Sequence, residues 1–151
     1  MNILVSACLL GMNCRYDGEN NWNSALALLR KRHCLVPVCP EIFGGLSTPR
    51  EPAEIREGKV YNRLGEEVTA NFTKGAAETL KLAKFFGCQA AVLKERSPSC
   101  GCGVIYDGSF SGKKIPGDGI TAALLKRHGI QVIGESKIEF LADKGWEKET
   151  C

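Results

Sequence analysis

The 151-residue chain has the pattern of a single-domain α/β protein, an open parallel sheet of about four strands with helices on both faces and two β-hairpin flaps. Three observations lead there. Three stretches repeat one order: a helical apolar pattern, a basic or glycine stop, then a short apolar run. Ile3-Leu4-Val5 places a fourth apolar run ahead of them. The length is close to that of one ordinary domain, so residues 1–151 are expected to fold around a single core.

The elements follow in order. Ile3-Leu4-Val5 is the first strand, and Ser24 to His33 is a helix leading into the second, Cys34-Leu35-Val36-Pro37-Val38. Ala76 to Phe86 is a helix that passes through Gly87 into Ala90-Ala91-Val92-Leu93, and Thr121 to His128 passes through Gly129 into Ile130-Gln131-Val132-Ile133. Cations in a last helical turn offset the helix dipole, and glycine just beyond supplies a left-handed cap. His33 and His128, both in such turns, are expected to cap. Continuous apolar strands alternating with helices imply a parallel sheet covered on both faces, with right-handed crossovers, and the strand order expected is 2-1-3-4. Two hairpins are expected on its rim: Lys59-Val60-Tyr61 with Glu67-Val68-Thr69, and Val104-Ile105-Tyr106 with Ser109-Phe110 around the turn Asp107-Gly108. A flavodoxin-like or Rossmann-like sheet hosts many activities, so function has to come from its side chains.

Composition narrows the classes. With 44% hydrophobic and 25% charged residues the chain is neither disordered nor fibrous. No apolar run approaches the ~18 residues of a membrane span, and Met1 to Ser6 lacks the basic start of a signal peptide, so a cytoplasmic location is expected. The net charge of +3 is spread evenly and forms no basic stripe for nucleic acid or a membrane surface. Eight cysteines are too few for a small disulfide scaffold, and cytoplasmic thiols stay reduced. They are either buried filler or ligands and nucleophiles.

Their positions matter more than their number. Cys8 follows the first strand, Cys39 the second, and Cys100 the segment Lys94 to Ser99 beyond the third. Sites in open parallel sheets form outside the carboxyl ends of the strands, where three such thiols can converge. No CxxC pair or histidine pattern suggests a zinc ribbon, whereas iron–sulfur clusters accept thiolates from scattered positions. Burial as small hydrophobes remains the alternative. Cys34 and Cys88 are expected in the core and Cys151 in a frayed tail. Cys14 and Cys102, beside Cys8 and Cys100, are reserve ligands or a redox pair. Gly117-Asp118-Gly119-Ile120-Thr121-Ala122 fits a loose dinucleotide pattern but follows no clear strand, and a glycine-rich helix entry explains it.

Three motifs carry a resemblance. Ser6-Ala7-Cys8-Leu9-Leu10-Gly11 with Cys14-Arg15-Tyr16-Asp17-Gly18, then Cys39-Pro40-Glu41 through Gly44-Gly45-Leu46 to Pro49-Arg50, then Lys94 through Ser97-Pro98-Ser99-Cys100-Gly101, resemble the family of short bacterial proteins that includes the thiouracil desulfidases. The resemblance runs over essentially the whole chain. It implies a [4Fe-4S] cluster with three cysteine ligands, here Cys8, Cys39 and Cys100, and one open iron. It also implies a small thiolated pyrimidine as substrate, desulfurated without redox change: water adds at the ring carbon and sulfur leaves as sulfide.

Within that frame Glu41 is the expected general base and Ser97 and Ser99 the expected hydroxyls that bond the pyrimidine or relay a proton. Ordinary turn roles stand against all three. Arg15, Tyr16, Asp17 and Arg50 either close over the base or pair among themselves, and Lys94 and Arg96 bring positive charge toward an anionic cluster. Cys102 stands where a small non-thiol residue is expected and, if it pointed inward, would close the open iron. The alternative function is a binding module without desulfurase activity, with structural zinc on the three thiols or a Cys100–Cys102 redox pair. Oligomeric state leaves no mark on the sequence.

Overall fold

The computed structural model describes residues 1–139, so Cys151 lies outside the described residues. Its central sheet has four parallel strands in the order β2-β1-β5-β8: β1 (Asn2–Ser6), β2 (Cys34–Val38), β5 (Ala90–Leu93) and β8 (Gln131–Gly134). This is the expected order. Alternation along β1 divides the core, because successive side chains of a strand face opposite ways. Leu4 joins Val38, Leu93, Ala83 of α3 (Thr69–Phe85) and Leu125 of α4 (Ile120–Arg127) on one face. Ile3 and Val5 join Val92, Ile138, and Leu26 and Leu29 of α1 (Leu26–Arg30) on the other. Each buried Leu, Ile or Val side chain among these contributes roughly 1.5–3 kcal/mol.

The helices depart from expectation at their ends. α1 covers five residues, because its approach is wound in tight turns: Ala27 N bonds Ser24 O and Leu28 N bonds Ala25 O, while Asn23 Oδ1 accepts the Ala25 amide. α3 begins at Thr69, well before Ala76, and its early part holds Gly75, which lowers helix propensity. That glycine is needed for packing. A Cβ at Gly75 would lie 1.8 Å from Pro40 O, and one at Gly44 would lie 2.0 Å from Asn71 O. The short helix α2 (Pro40–Phe43), which follows Cys39, is thus laid backbone to backbone on α3.

Both hairpins exist, with different partners. Lys59–Asn62 (β4) pairs with Ala53–Arg56 (β3), and residues 67–69 form no strand but touch β4 through the bridge Tyr61–Glu67, the Val68 amide donating to Val60 O and Thr69 Oγ1 accepting the Val60 amide. The turn is Glu57-Gly58, both at positive φ (51° and 77°), a two-residue connection that suits strand twist. Val104–Tyr106 (β6) pairs with Lys114–Pro116 (β7), so Asp107-Gly108 opens a longer loop and Ser109-Phe110 is not a strand. His128 Nδ1 lies 3.0 Å from Leu124 O at the end of α4, in keeping with a cap, while His33 Nδ1 lies 3.2 Å from the Met1 amino group. Cys88 is buried as expected. Cys34 is exposed instead, since it opens an edge strand. Among the described residues no helix is long and apolar enough to cross a membrane.

Candidate functional site

Three chain reversals at the carboxyl edge of the sheet build one cavity of about 590 Å³, within the usual range for small-molecule sites. After β1 the chain enters a 3-10 turn, Ala7–Leu10, that carries Cys8 and ends at Gly11 in the left-handed region (φ 90°). The loop then returns past Cys14, and Cys8 O accepts the amide of Asn21. After β2, Cys39 precedes α2, where Pro40 fits the first helical position and Glu41 sits in the first turn. After β5, Lys94 N donates to Ser6 Oγ, tying the third reversal to the first.

The Cys100 turn is held from within and from below. Ser97 Oγ accepts the amides of Ser99 (3.2 Å) and Cys100 (3.1 Å), and Ser97 O accepts that of Gly101. Pro98 O accepts from Ile120 and Ser99 O from Thr121, so the first amides of α4 are spent on this turn. Gly119 allows it: a Cβ there would lie 2.5 Å from Ser99 O. The glycines that fit a dinucleotide pattern therefore seat the helix against the cysteine turn.

Cys8, Cys39 and Cys100 all line the cavity, together with Glu41, Ser97 and Ser99. Glu41 is held at both oxygens: Arg50 Nε lies 3.1 Å from Oε1, and Ser99 Oγ donates to Oε2 over 3.1 Å. Ser99 Oγ also lies 3.0 Å from Ser97 Oγ and 3.7 Å from Cys100 Sγ. Arg50 is almost fully buried and bonds Cys14 O at 2.8 Å and Thr48 Oγ1 at 3.0 Å, joining the Cys14 loop to the segment after α2. Arg15 pairs locally with Asp17 and Asn21, and Lys94 is matched by Glu135 at 2.6 Å.

The thiols differ in acidity. Burial pushes Cys100 up to about 12 and also raises Cys8. Cys39 is lowered to about 7, chiefly because the Cys14 thiol hydrogen-bonds to it, and Cys14 is raised in return. Cys14 also lines the cavity. Cys102 does not line it, and its sulfur lies 3.5 Å from Val132 O against the core.

The donor set suits a cluster better than one ion. Among the described residues no three His, Cys, Asp or Glu side chains are placed to share a single metal ion. A four-iron cluster binds each thiolate at a separate iron, so its ligands need not converge on one point. Thiols from three strand ends around one cavity meet that requirement.

Sequence reasoning missed the outer wall. Tyr106 and Phe110 from the β6–β7 hairpin, with Glu54 and Arg63 from or beside the β3–β4 hairpin, complete the lining. The one available signal was that both hairpins belong to the carboxyl rim.

Fold and site together define an α/β protein with a thiol-lined cavity at the carboxyl edge of a parallel sheet. The chain belongs to the 2-thiouracil desulfurase family, which matches residues 3–137. It is 49% identical over 146 residues to the uncharacterized protein YbbK of Bacillus subtilis (strain 168), covering 90% of this chain and 97% of that one. The solved structure of TudS, a [4Fe-4S]-dependent thiouracil desulfidase, superposes with a TM-score of 0.86 at 46% identity, covering 95% of this chain and 96% of that one.

Proposed function

We propose that this protein removes sulfur from a thiolated pyrimidine such as thiouracil by non-redox hydrolysis, using a [4Fe-4S] cluster held by Cys8, Cys39 and Cys100 with one iron open. The observation that carries this is the meeting of three strand-end thiols with the Glu41–Ser99 pair in one cavity, in a chain of the 2-thiouracil desulfurase family. When bound, the cluster supplies a Lewis acid for the exocyclic sulfur.

The chain's own residues do the rest. Hydrolysis exchanges a C=S bond for C=O: water provides the oxygen, and sulfur leaves at the oxidation level of sulfide. Glu41 is the base that takes the water proton. Arg50 on Oε1 fixes its orientation, so that Oε2 is the oxygen turned to Ser99. Ser99, buried between Glu41 and Cys100 Sγ, passes a proton between the carboxylate and the departing sulfur. Ser97 keeps Ser99 in place through its two amide bonds.

The test is iron and acid-labile sulfide content with a visible spectrum on protein prepared without oxygen, followed by sulfide release from 2-thiouracil. About four irons per chain, lost in Cys8→Ser, together with release of sulfide, is the expected result. Protein that refuses iron, or an iron-loaded protein that releases no sulfide, overturns the proposal.

A further inference from the structure

The loop between β6 and β7 is fastened to the cavity by a device that the hydrolytic chemistry does not require. Phe110 has a left-handed backbone (φ 55°), which a bulky residue keeps only when its surroundings impose it. Here one carboxylate imposes it. Glu54 Oε1 accepts the amides of both Gly108 and Phe110, each at 3.1 Å, across more than fifty positions of sequence. Gly108 lies so close to β3 that a Cβ would come within 2.6 Å of Arg56 Cβ and 2.7 Å of Ile55 O. Asp107 Oδ1 stiffens the same turn by accepting the Ser109 amide at 2.9 Å.

The outcome is a half-buried phenyl residue on the wall of the thiol cavity, in a loop pinned from the side. Two other aromatics share the wall. Tyr16 has one ring face taken by the Arg15 guanidinium at 5.4 Å and Tyr106 is set by the β6–β7 pairing, whereas Phe110 is set by a side-chain carboxylate clamped on its loop. An aromatic face at a fixed position recognises flat π-systems and is indifferent to which hydrogen-bonding edge they carry.

We propose that Phe110 is the stacking platform for the substrate ring, that Glu54 is its positioning residue, and that together they select planar aromatic thiones over saturated ones. This rests on the thiolated-pyrimidine assignment above and names what would recognise the ring. Loss of the face weakens binding of the planar ring about tenfold or more, the usual consequence of removing one base-stacking aromatic.

The experiment compares uracil with 5,6-dihydrouracil, which carries the same amide edges on a puckered ring, by calorimetry on the iron-loaded protein. Wild type binds uracil more tightly, Phe110→Ala and Phe110→Leu remove most of that preference, and Phe110→Tyr restores it. The Ala variant raises KM for 2-thiouracil by more than it lowers kcat, with iron content and visible spectrum unchanged. Glu54→Ala gives the same pattern in weaker form. Equal affinity of wild type for the two rings, binding of neither, or wild-type preference in Phe110→Leu overturns the proposal. Failure of the desulfurase assignment shows separately, as no sulfide released from 2-thiouracil, and leaves the comparison of the two rings decisive for stacking.

Discussion

Ser99 donates its hydroxyl to Glu41 Oε2 at 3.1 Å, joining the turn before Cys100 to the first turn of α2. Ser99 is 1% exposed, so this bond is made out of water, where a hydroxyl without a partner is costly. Glu41→Gln can keep both the Arg50 and the Ser99 contact in one amide orientation. The variant is expected to hold its iron while sulfide release from 2-thiouracil falls at least ~100-fold, the usual worth of a positioned base. Retention of turnover with full iron would remove Glu41 from the chemistry.

Ser97 and Ser99 are separable by what their oxygens do. Ser97→Ala strips the acceptor from two amides of the cysteine turn and is expected to cost about 1–3 kcal/mol in urea unfolding. Ser99→Ala leaves those amides satisfied and is expected to lower kcat more than stability. The reverse pattern would exchange the two roles.

Gly75→Ala tests the seat of α2. The new methyl has no room beside Pro40 O, and the obstacle is backbone, so the two helices must part. A loss of about 3 kcal/mol or more is expected, read as a lowered urea midpoint with a reduced iron content after reconstitution.

Cys102→Ser is expected to be silent in iron content and turnover, because its sulfur lies against Val132 O outside the cavity. Serine can make the same bond. A drop in iron after this change would mean that the Cys100–Cys102 segment rearranges on loading.

Alkylation of the metal-free protein reads the thiol acidities directly. Cys39, lowered to about 7 by the Cys14 thiol, is expected to react with iodoacetamide with a midpoint near that pH, while Cys100, up to about 12 and buried, stays unlabelled. Cys14→Ala withdraws the donor that favours the Cys39 thiolate, so the Cys39 midpoint moves up. Peptide-resolved mass spectrometry distinguishes it from exposed Cys34.

The sheet was legible in the sequence because its strands are short apolar runs following helix stops, and burial on both faces leaves little else such runs can do. The order β2-β1-β5-β8 is the expected one, although crossover handedness fixes only which face each helix covers. What was not legible depends on contacts that no local pattern encodes. Gly75 argues against a helix locally and is present only because Pro40 packs on it. Ala53-Glu54-Ile55-Arg56 sits behind Pro49 and Pro52 with no strand signature, and Glu57-Gly58 is not a favoured turn pair, so the partner of Lys59–Asn62 was placed on the wrong side. Asp107-Gly108 has the form of a tight turn, while in the fold Gly108 serves to approach β3. The strand-end thiols and Glu41 could be placed from their motifs. The bond from Phe110 N to Glu54 could not, since neither residue carries a mark of the other.

The neighbours of β1 have a consequence for how the protein matures. The ends of β1 and β2 that lead to Cys8 and Cys39 come together as β2 pairs with β1, but the side of the cavity that holds Cys100 needs β5 against the opposite edge of β1. A nascent chain that ends short of residue 100 therefore offers two of the three proposed ligands and no enclosure. On the proposed ligand set a cluster can be seated only in the completed sheet, and until then the Cys14 loop is kept against α2 by contacts such as those of Arg50 with Glu41, Cys14 O and Tyr16 O.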